Sequence, residues 1–367
     1  MAGSTYGTIF QITTWGESHG LAMGVVIDGC PAGLELQTSD IQPYLNKRKP
    51  GNSPYASSRK ESDLVEILSG VFQGCTTGAP ISLLITNKDA DSKAYEPFAD
   101  AYRPGHADYT FDCKYGIRDY RGGGRASGRE TIGRVAAGAI AVKLLSSMGI
   151  TLQTFVKSIG PITIPECEYH YEEITSNHLY MPNLNYADQA SQYIESCIQN
   201  GDSCGGVIEC HITHLPPGLG EPVFDKLDAC LAKAVLSIGG VKGFEIGDGF
   251  LSASSLGSEH NDAFCYTDNK FHKKTNHSGG VLGGISDGSK LIFRAAMKPT
   301  PSISRKQQTV TNTGEPMELS ISGRHDPVLV PRGVVVVESM AAITLVDLLL
   351  LNMSARLDGL IKYYTEF

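Results

Sequence analysis

Short apolar runs bounded by turn residues fall at Gly24–Asp28, Val65–Leu68, Ile81–Thr86, Gly206–Ile212 and Lys290–Arg294, each of a length that suits a strand. Between them, apolar residues recur at helical spacing over Ser39–Lys47, Glu130–Met148 and Pro222–Ser237. In the second of these, Ile132, Val135, Ala136, Ala139, Ile140 and Leu144 share a face, and Gly149 supplies a stop. The elements lack the regular strand-helix-strand spacing of a doubly wound sheet, so the pattern predicts an α+β fold. The most apolar stretch, Val334–Met353, is interrupted by Glu338 and Asp347, which argues against a membrane span. It reads as a buried strand over Gly333–Val337 followed by a core helix whose leucines need cover on more than one face, and an oligomer is one source of that cover. Residues 87–128 and 299–333 carry no period and read as binding loops or lids.

Composition narrows the class. With 367 residues and 41% hydrophobic content the chain buries a sizeable core. Nine cysteines without regular spacing do not make a disulfide framework, and Met1–Ile12 lacks a basic segment followed by an apolar run, so the expectation is a reducing, cytoplasmic setting. A formal charge of −8 excludes general affinity for nucleic acid, and the cations that exist are concentrated.

The concentration lies in Asp119–Arg134. Arg121, Arg125, Arg129 and Arg134 stand among Gly122, Gly123 and Gly124, just where the 130–148 helix begins. Glycine lets a ligand approach the main chain, guanidiniums offer planar charged forks, and a helix N-terminus adds free N–H groups, a combination suited to a phosphorylated small molecule. Ser127 and Glu130 have capping-box spacing. A flexible arginine-glycine tail that binds RNA is the competing reading, but such tails have no amphipathic helix attached. His19 in Gly16-Glu17-Ser18-His19-Gly20 and His106 beside Arg103 and Gly105 are candidates for acid catalysis on a leaving phosphate or a cofactor. Lys298-Pro299-Thr300-Pro301-Ser302 offers an ammonium and hydroxyls to a terminal phosphate, and Arg324-His325-Asp326 makes a polar corner. No Walker-type loop is present, which removes the main support for a phosphotransferase. Cys204, Cys210, His211 and His214 match no zinc spacing, and a strand would send Cys210 and His211 to opposite faces, so no metal is expected.

Gly16–Gly20, Arg121–Thr131 and Ser322–Pro327, together with Lys47–Gly51, Val241–Gly249 and Gly279–Ile285, resemble in order and spacing the signature segments of the chorismate synthase family, over almost the whole chain. The resemblance implies a single domain over residues 1–367, with two antiparallel four-stranded sheets enclosing helices in a β-α-β sandwich, assembled as a homotetramer. It implies conversion of 5-enolpyruvylshikimate 3-phosphate into chorismate and phosphate by an anti-1,4-elimination with reduced FMN, which lends electron density to C–O cleavage and takes the C6 hydrogen. Carried over by position, His19 protonates the leaving phosphate, His106 the reduced flavin, and Asp326 relays a proton with support from Ser18 and Ser127. The flavin positions are Arg125, Ala126, Ser127, Gly239, Gly240, Gly283, Lys298, Pro299, Thr300, Pro301, Ser302 and Arg324. Arg48, Arg103, Arg129 and Arg134 form the expected substrate clamp. The flavin is reduced either by NADPH or by an external reductase; Pro54 stands where many relatives have arginine, which weakens a nicotinamide-phosphate loop there.

Overall fold

The computed structural model describes residues 3–50, 55, 61–88, 93–321 and 326–365. Two antiparallel sheets form its outer layers. In the first, β1 (Thr5–Tyr6), β2 (Gln11–Gly16), β3 (Ala22–Asp28), β4 (Val65–Ile67) and β5 (Ile81–Thr86) stand in the order β1-β2-β3-β5-β4. In the second, β6 (Thr151–Ile159), β7 (Ile162–Thr163), β8 (Gly206–Thr213), β9 (Val241–Ile246) and β10 (Leu291–Met297) stand as β9-β10-β8-β6-β7. Each sheet therefore has the four expected strands plus a two-residue strand at one edge. Alternation along β8 is clean: Ile208, Cys210 and Ile212 join the hydrophobic core, while Glu209 and His211 bond to each other on the opposite face.

The helices are α1 (Thr38–Arg48), α2 (Asp108–Tyr115), α3 (Thr131–Ser147), α4 (Leu184–Gln199), α5 (Leu227–Leu236), α6 (Val330–Asn352) and α7 (Leu357–Thr365). Helix α3 packs on β2 and β3 and crosses α6, which packs on β6 and β8, so α3 and α6 fill the space between the sheets with α1 and α5 beside them. At the crossing Gly138 is indispensable: a Cβ there would lie 2.2 Å from Ser339 Cβ.

Helix α6 corrects the sequence reading. Gly333–Val337 is not a strand but part of one 23-residue helix opened by Pro331. The run of valines misleads because helix propensity costs only a few tenths of a kcal/mol per valine, whereas burying each contributes about 1.5–3 kcal/mol. Buried from Val330 to Val337 apart from Arg332, and from Ser339 to Leu348, the helix is covered by its own chain on all sides. Helix α5 starts at Leu227, after the Pro222–Lys226 loop, rather than at Pro222. The stretches without a period contain α2 and the hairpin Gln307–Val310 with Pro316–Leu319. Both α4 and β6 escaped the hydrophobic pattern.

The two acids that interrupt the apolar stretch have separate work. Asp347 accepts the main-chain N–H groups of Thr8, Ile9 and Phe10 at 2.9, 2.7 and 3.0 Å, fixing the turn between β1 and β2 onto α6. Glu338 lies near Tyr44 and Lys47 of α1 and Thr154 of β6, and burial pushes its carboxyl up to about 6 despite the offsetting Lys47 charge and Thr154 hydroxyl. A raised carboxyl contributes stability while protonated and loses it as pH rises through about 6. Glu338→Gln should therefore raise the unfolding free energy at pH 8 by about 1–2 kcal/mol and leave it nearly unchanged at pH 4.5. Urea titrations at the two pH values check this; an equal effect at both would remove the titration as its cause.

Candidate active site

Ahead of α3 the chain makes two tight turns, Gly124–Ala126 and Gly128–Glu130. Ser127 Oγ accepts from Arg129 N at 3.2 Å, as a cap should, but the expected reciprocal bond from Glu130 is replaced. The Glu130 carboxylate takes Thr14 Oγ1 at 2.8 Å and Arg134 Nε at 2.8 Å instead, because a charged fork one turn along outcompetes a main-chain N–H. Arg125 is likewise engaged, donating to Gly16 O, Thr14 O, Thr14 Oγ1 and Ser4 Oγ. Its guanidinium straps the turn to β2. Arg121 pairs with Asp119 at the surface and stands outside the clamp.

Gly122 is the pivot between the histidines. With φ +77°, its backbone presses on His19, so that a Cβ would fall 2.4 Å from both Cε1 and Nδ1 of the imidazole. Ser18 Oγ bonds His19 Nδ1 at 3.1 Å, and Tyr95 meets the ring edge-on at 5.1 Å. Gly122 O accepts from Arg103, which is also held in a fork by Asp108 (2.8 and 2.7 Å) and lies over the Tyr95 ring. Three residues on, His106 places Nδ1 at 3.0 Å from Pro104 O and Nε2 at 2.9 Å from Ser302 Oγ. Lys298 Nζ completes the corner by donating to Gly105 O at 2.8 Å.

From the same histidine loop the contacts run the other way. Asn87 Nδ2 donates to Glu17 O and Gly20 O, and its Oδ1 accepts from Arg129 Nε at 2.6 Å. Arg129 reaches Glu61 and Asp63, the latter at 3.1 Å; Asp63 takes Arg48 at 2.6 Å. Arg332 donates from Nε to Arg48 O at 2.8 Å and pairs with Asp326. Next to Asp326, Pro327 O accepts from Cys204 N, and Ser203 Oγ donates to Thr300 O at 2.7 Å, two residues before Ser302, the partner of His106. The contacts thus close on themselves, and His19, His106, Asp326, Arg48, Arg103, Arg129 and the 298–302 loop belong to one connected set. Arg134 joins through Ser237 Oγ (2.6 Å) at the end of α5, whose next turn carries Gly239 and Gly240; Gly240 O accepts from Lys298 N.

One expected position stays apart. Gly283 sits beside Gly284, whose carbonyl takes Leu227 N at the opposite end of α5 from Ser237, about 15 Å away by helix rise. Within one chain it is not brought to Lys298. Arg324, and with it the Ser322–His325 corner, lies outside the described residues, as does Pro54.

Electrostatically the cluster differs from a bare cationic nest. Arg48 is 2% exposed; burial draws it down to about 10 while Asp63 pulls it back up. Burial opposes ionisation of Asp63, but the Arg48 and Arg129 charges and hydrogen bonds prevail and hold it below the usual carboxylate range. Lys298 has no carboxylate partner among the described residues, and burial together with the Lys242 charge lowers it. Thr300 is 8% exposed and its hydroxyl oxygen is buried without a hydrogen-bond partner among the described residues, which suits a phosphate ester supplied from outside. These donors fit the phosphate end of a flavin mononucleotide.

Asp63, Glu61, Asn87, Tyr95, Asp108 and Arg332 were not expected from the sequence. Five of them support a candidate rather than form a motif, and no spacing announces that. Arg332 did leave a signal, as the lone guanidinium in the first turn of an apolar helix.

Comparison with known proteins assigns the chain to a family. The family model described as chorismate synthase covers residues 10–350. Chorismate synthases from Agathobacter rectalis and Lachnoclostridium phytofermentans are each 62% identical to this chain, over 366 and 367 residues, covering 100% of both sequences in each case. The enzyme of Methanocella arvoryzae is 53% identical over 95% of this chain and 94% of its own length. A crystal structure of a chorismate synthase superposes with a TM-score of 0.78 at 31% identity, covering 98% of each chain. The closed set of histidines, arginines and hydroxyls therefore sits in a chain that belongs to the chorismate synthase family.

Proposed function

We propose that this chain converts 5-enolpyruvylshikimate 3-phosphate into chorismate and inorganic phosphate, the C3–O bond breaking with its electron pair leaving on phosphate and a hydrogen leaving C6 on the opposite ring face. The observation that carries the reading is the single set, joined by hydrogen bonds, ion pairs and short stretches of chain, that unites His19, His106 and Asp326 with Arg48, Arg129 and Lys298. Reduced flavin mononucleotide, when bound, supplies electron density to the breaking bond and accepts the hydrogen. The protein's part is to bind, orient and move protons. Lys298 and Thr300 hold the flavin phosphate, and the main chain at Arg125–Ser127 and Gly239–Gly240 lines its ring. Arg48, Arg103, Arg129 and Arg134 hold the substrate's carboxylates and phosphate where charge grows as the leaving group departs. His19, oriented through Nδ1 by Ser18, offers a proton to that phosphate; His106, bonded at Nε2 to Ser302, holds a proton at the flavin edge; Asp326, steadied by Arg332, receives one.

The same reading brings a single domain, a cytoplasmic homotetramer, and flavin reduction by NADPH or a separate reductase. Support for assembly comes from apolar side chains left on the surface, Phe224 at 90% exposed and Phe271 at 76% among them. A neighbouring copy is also a route by which Gly283 could reach a flavin.

Purified protein given reduced FMN and the shikimate-derived substrate under anaerobic conditions should form chorismate, read by its ultraviolet absorbance; no product with the flavin present would reject the reading. His106→Ala should lower kcat by about 100-fold or more while costing only about 1–3 kcal/mol for its two ring hydrogen bonds, because a histidine flanked by glycine contributes little to packing. Turnover near that of the parent would take His106 out of the chemistry. Gly122→Ala tests His19 from the backbone side: the new methyl collides with the imidazole and strains a positive φ, so kcat should drop about as far as in His19→Ala, and the double variant should lose little more. Additive losses would show that Gly122 acts elsewhere.

A further inference from the structure

We infer that Asp63 is a positioning residue for the proposed elimination, setting the directions of Arg48 and Arg129 rather than merely neutralising them. The inference rests on the lyase reading of this site. Its side chain is 0% exposed and divides its two oxygens, Oδ2 to Arg48 at 2.6 Å and Oδ1 to Arg129 at 3.1 Å. The backbone that presents it is in the left-handed region, φ +44°, a conformation costly for any residue but glycine and tolerated best by aspartate and asparagine. Gln42 of α1 holds that conformation from both sides, donating to Asp63 O at 3.0 Å and accepting from Val65 N at 3.2 Å. Helix α1 therefore supplies both Arg48 and the clip that aims the carboxylate at it.

A salt bridge built only for stability would consume the donors it buries. This one does not: Arg48 Nε and one terminal nitrogen of Arg129 are buried and have no hydrogen-bond partner among the described residues. Glu61 and Asn87 occupy other nitrogens of Arg129, so its rotation is fully determined while a donor is left over. Two fixed guanidiniums joined by one carboxylate, each keeping an unused N–H, form a preorganised receptor for anionic oxygens. Without Asp63 the two like charges repel and turn, and the leftover donors lose their direction though not their charge.

Asp63→Asn keeps the shape and tolerates the positive φ, so it isolates the charge. Turnover per folded molecule should fall about 100-fold with KM for the phosphorylated substrate unchanged or lower, since the positive charge is no longer offset but its placement is lost. Inorganic phosphate should raise the melting temperature of this variant more than that of the parent, because the anion replaces the missing carboxylate. A kcat within about threefold of the parent, or a phosphate response no larger than the parent's, would overturn the inference. Gln42→Leu releases the backbone but leaves the charge; it should lower kcat about tenfold with a parental phosphate response, and if Asp63→Asn does not fold, parental kcat in Gln42→Leu overturns the proposal. Should the parent itself show no turnover with reduced FMN, the lyase reading fails, and the phosphate response alone decides whether Asp63 positions the pair.

Discussion

A guanidinium withdrawn from water must find a counter-charge, and this requirement organises the functional end of the molecule. Arg48, Arg103 and Arg129 are each at least nine-tenths buried, and each is met by a carboxylate: Asp63, Asp108, and Glu61 with Asp63. Asp108 meets Arg103 within one turn of chain, but Asp63 joins Arg48, 15 residues before it, to Arg129, 66 residues after it. Satisfying the arginines thus pulls the end of α1, the approach to β4, the His19 loop and the start of α3 into one place. Arg332 extends the arrangement from α6 to Asp326. The helices between the sheets supply a rigid frame, with α3 and α6 in contact at Gly138 and Ser339, so that the ends of both helices stay in register with the loops they carry.

What the sequence disclosed and what it hid follow from this. Strands β3, β4, β5, β8 and β10 and helices α1 and α3 were legible because each is a compact apolar run or stripe bounded by turn residues. Helix α6 was half misread since its cover comes from every side, leaving no period, and its valines favour a strand locally. The 87–128 stretch hid α2 because a helix that buries little more than Asp108 has no apolar stripe to show. Candidate residues on glycine- and arginine-rich motifs were found, and nearly all of those described fall into one connected set. Their partners were not found, because an ion pair across the fold leaves no local mark: Asp63 is an unremarkable acid before a strand until the fold sets it between two arginines. The capping box at Ser127 failed for the same reason, as Thr14 and Arg134 claim a carboxylate that local spacing assigns to the helix start.

Neutralisation changes what the arginines can do for a departing phosphate. A cluster of unpaired cations would bind a highly charged substrate strongly and gain little further as its C–O bond breaks, lowering KM without raising kcat. Here Asp63 and Glu61 offset much of the attraction of Arg48 and Arg129 before any ligand arrives, while leaving directed donors that cannot turn to follow the ground state. Their benefit is then greatest for oxygens that gain charge at the right positions, which on the proposed reading are those of the leaving phosphate. Lys298 works under the opposite regime. With no carboxylate partner among the described residues, and lowered by burial and Lys242, it gains a charged partner when an anion arrives, which on the proposed reading suits a group that anchors a resident cofactor rather than one that senses a transition state. On the proposed reading, compensated guanidiniums at the reacting end and, at the anchoring end, an ammonium without a carboxylate partner and a Thr300 hydroxyl without a hydrogen-bond partner among the described residues are two solutions to two different demands on phosphate recognition within one site.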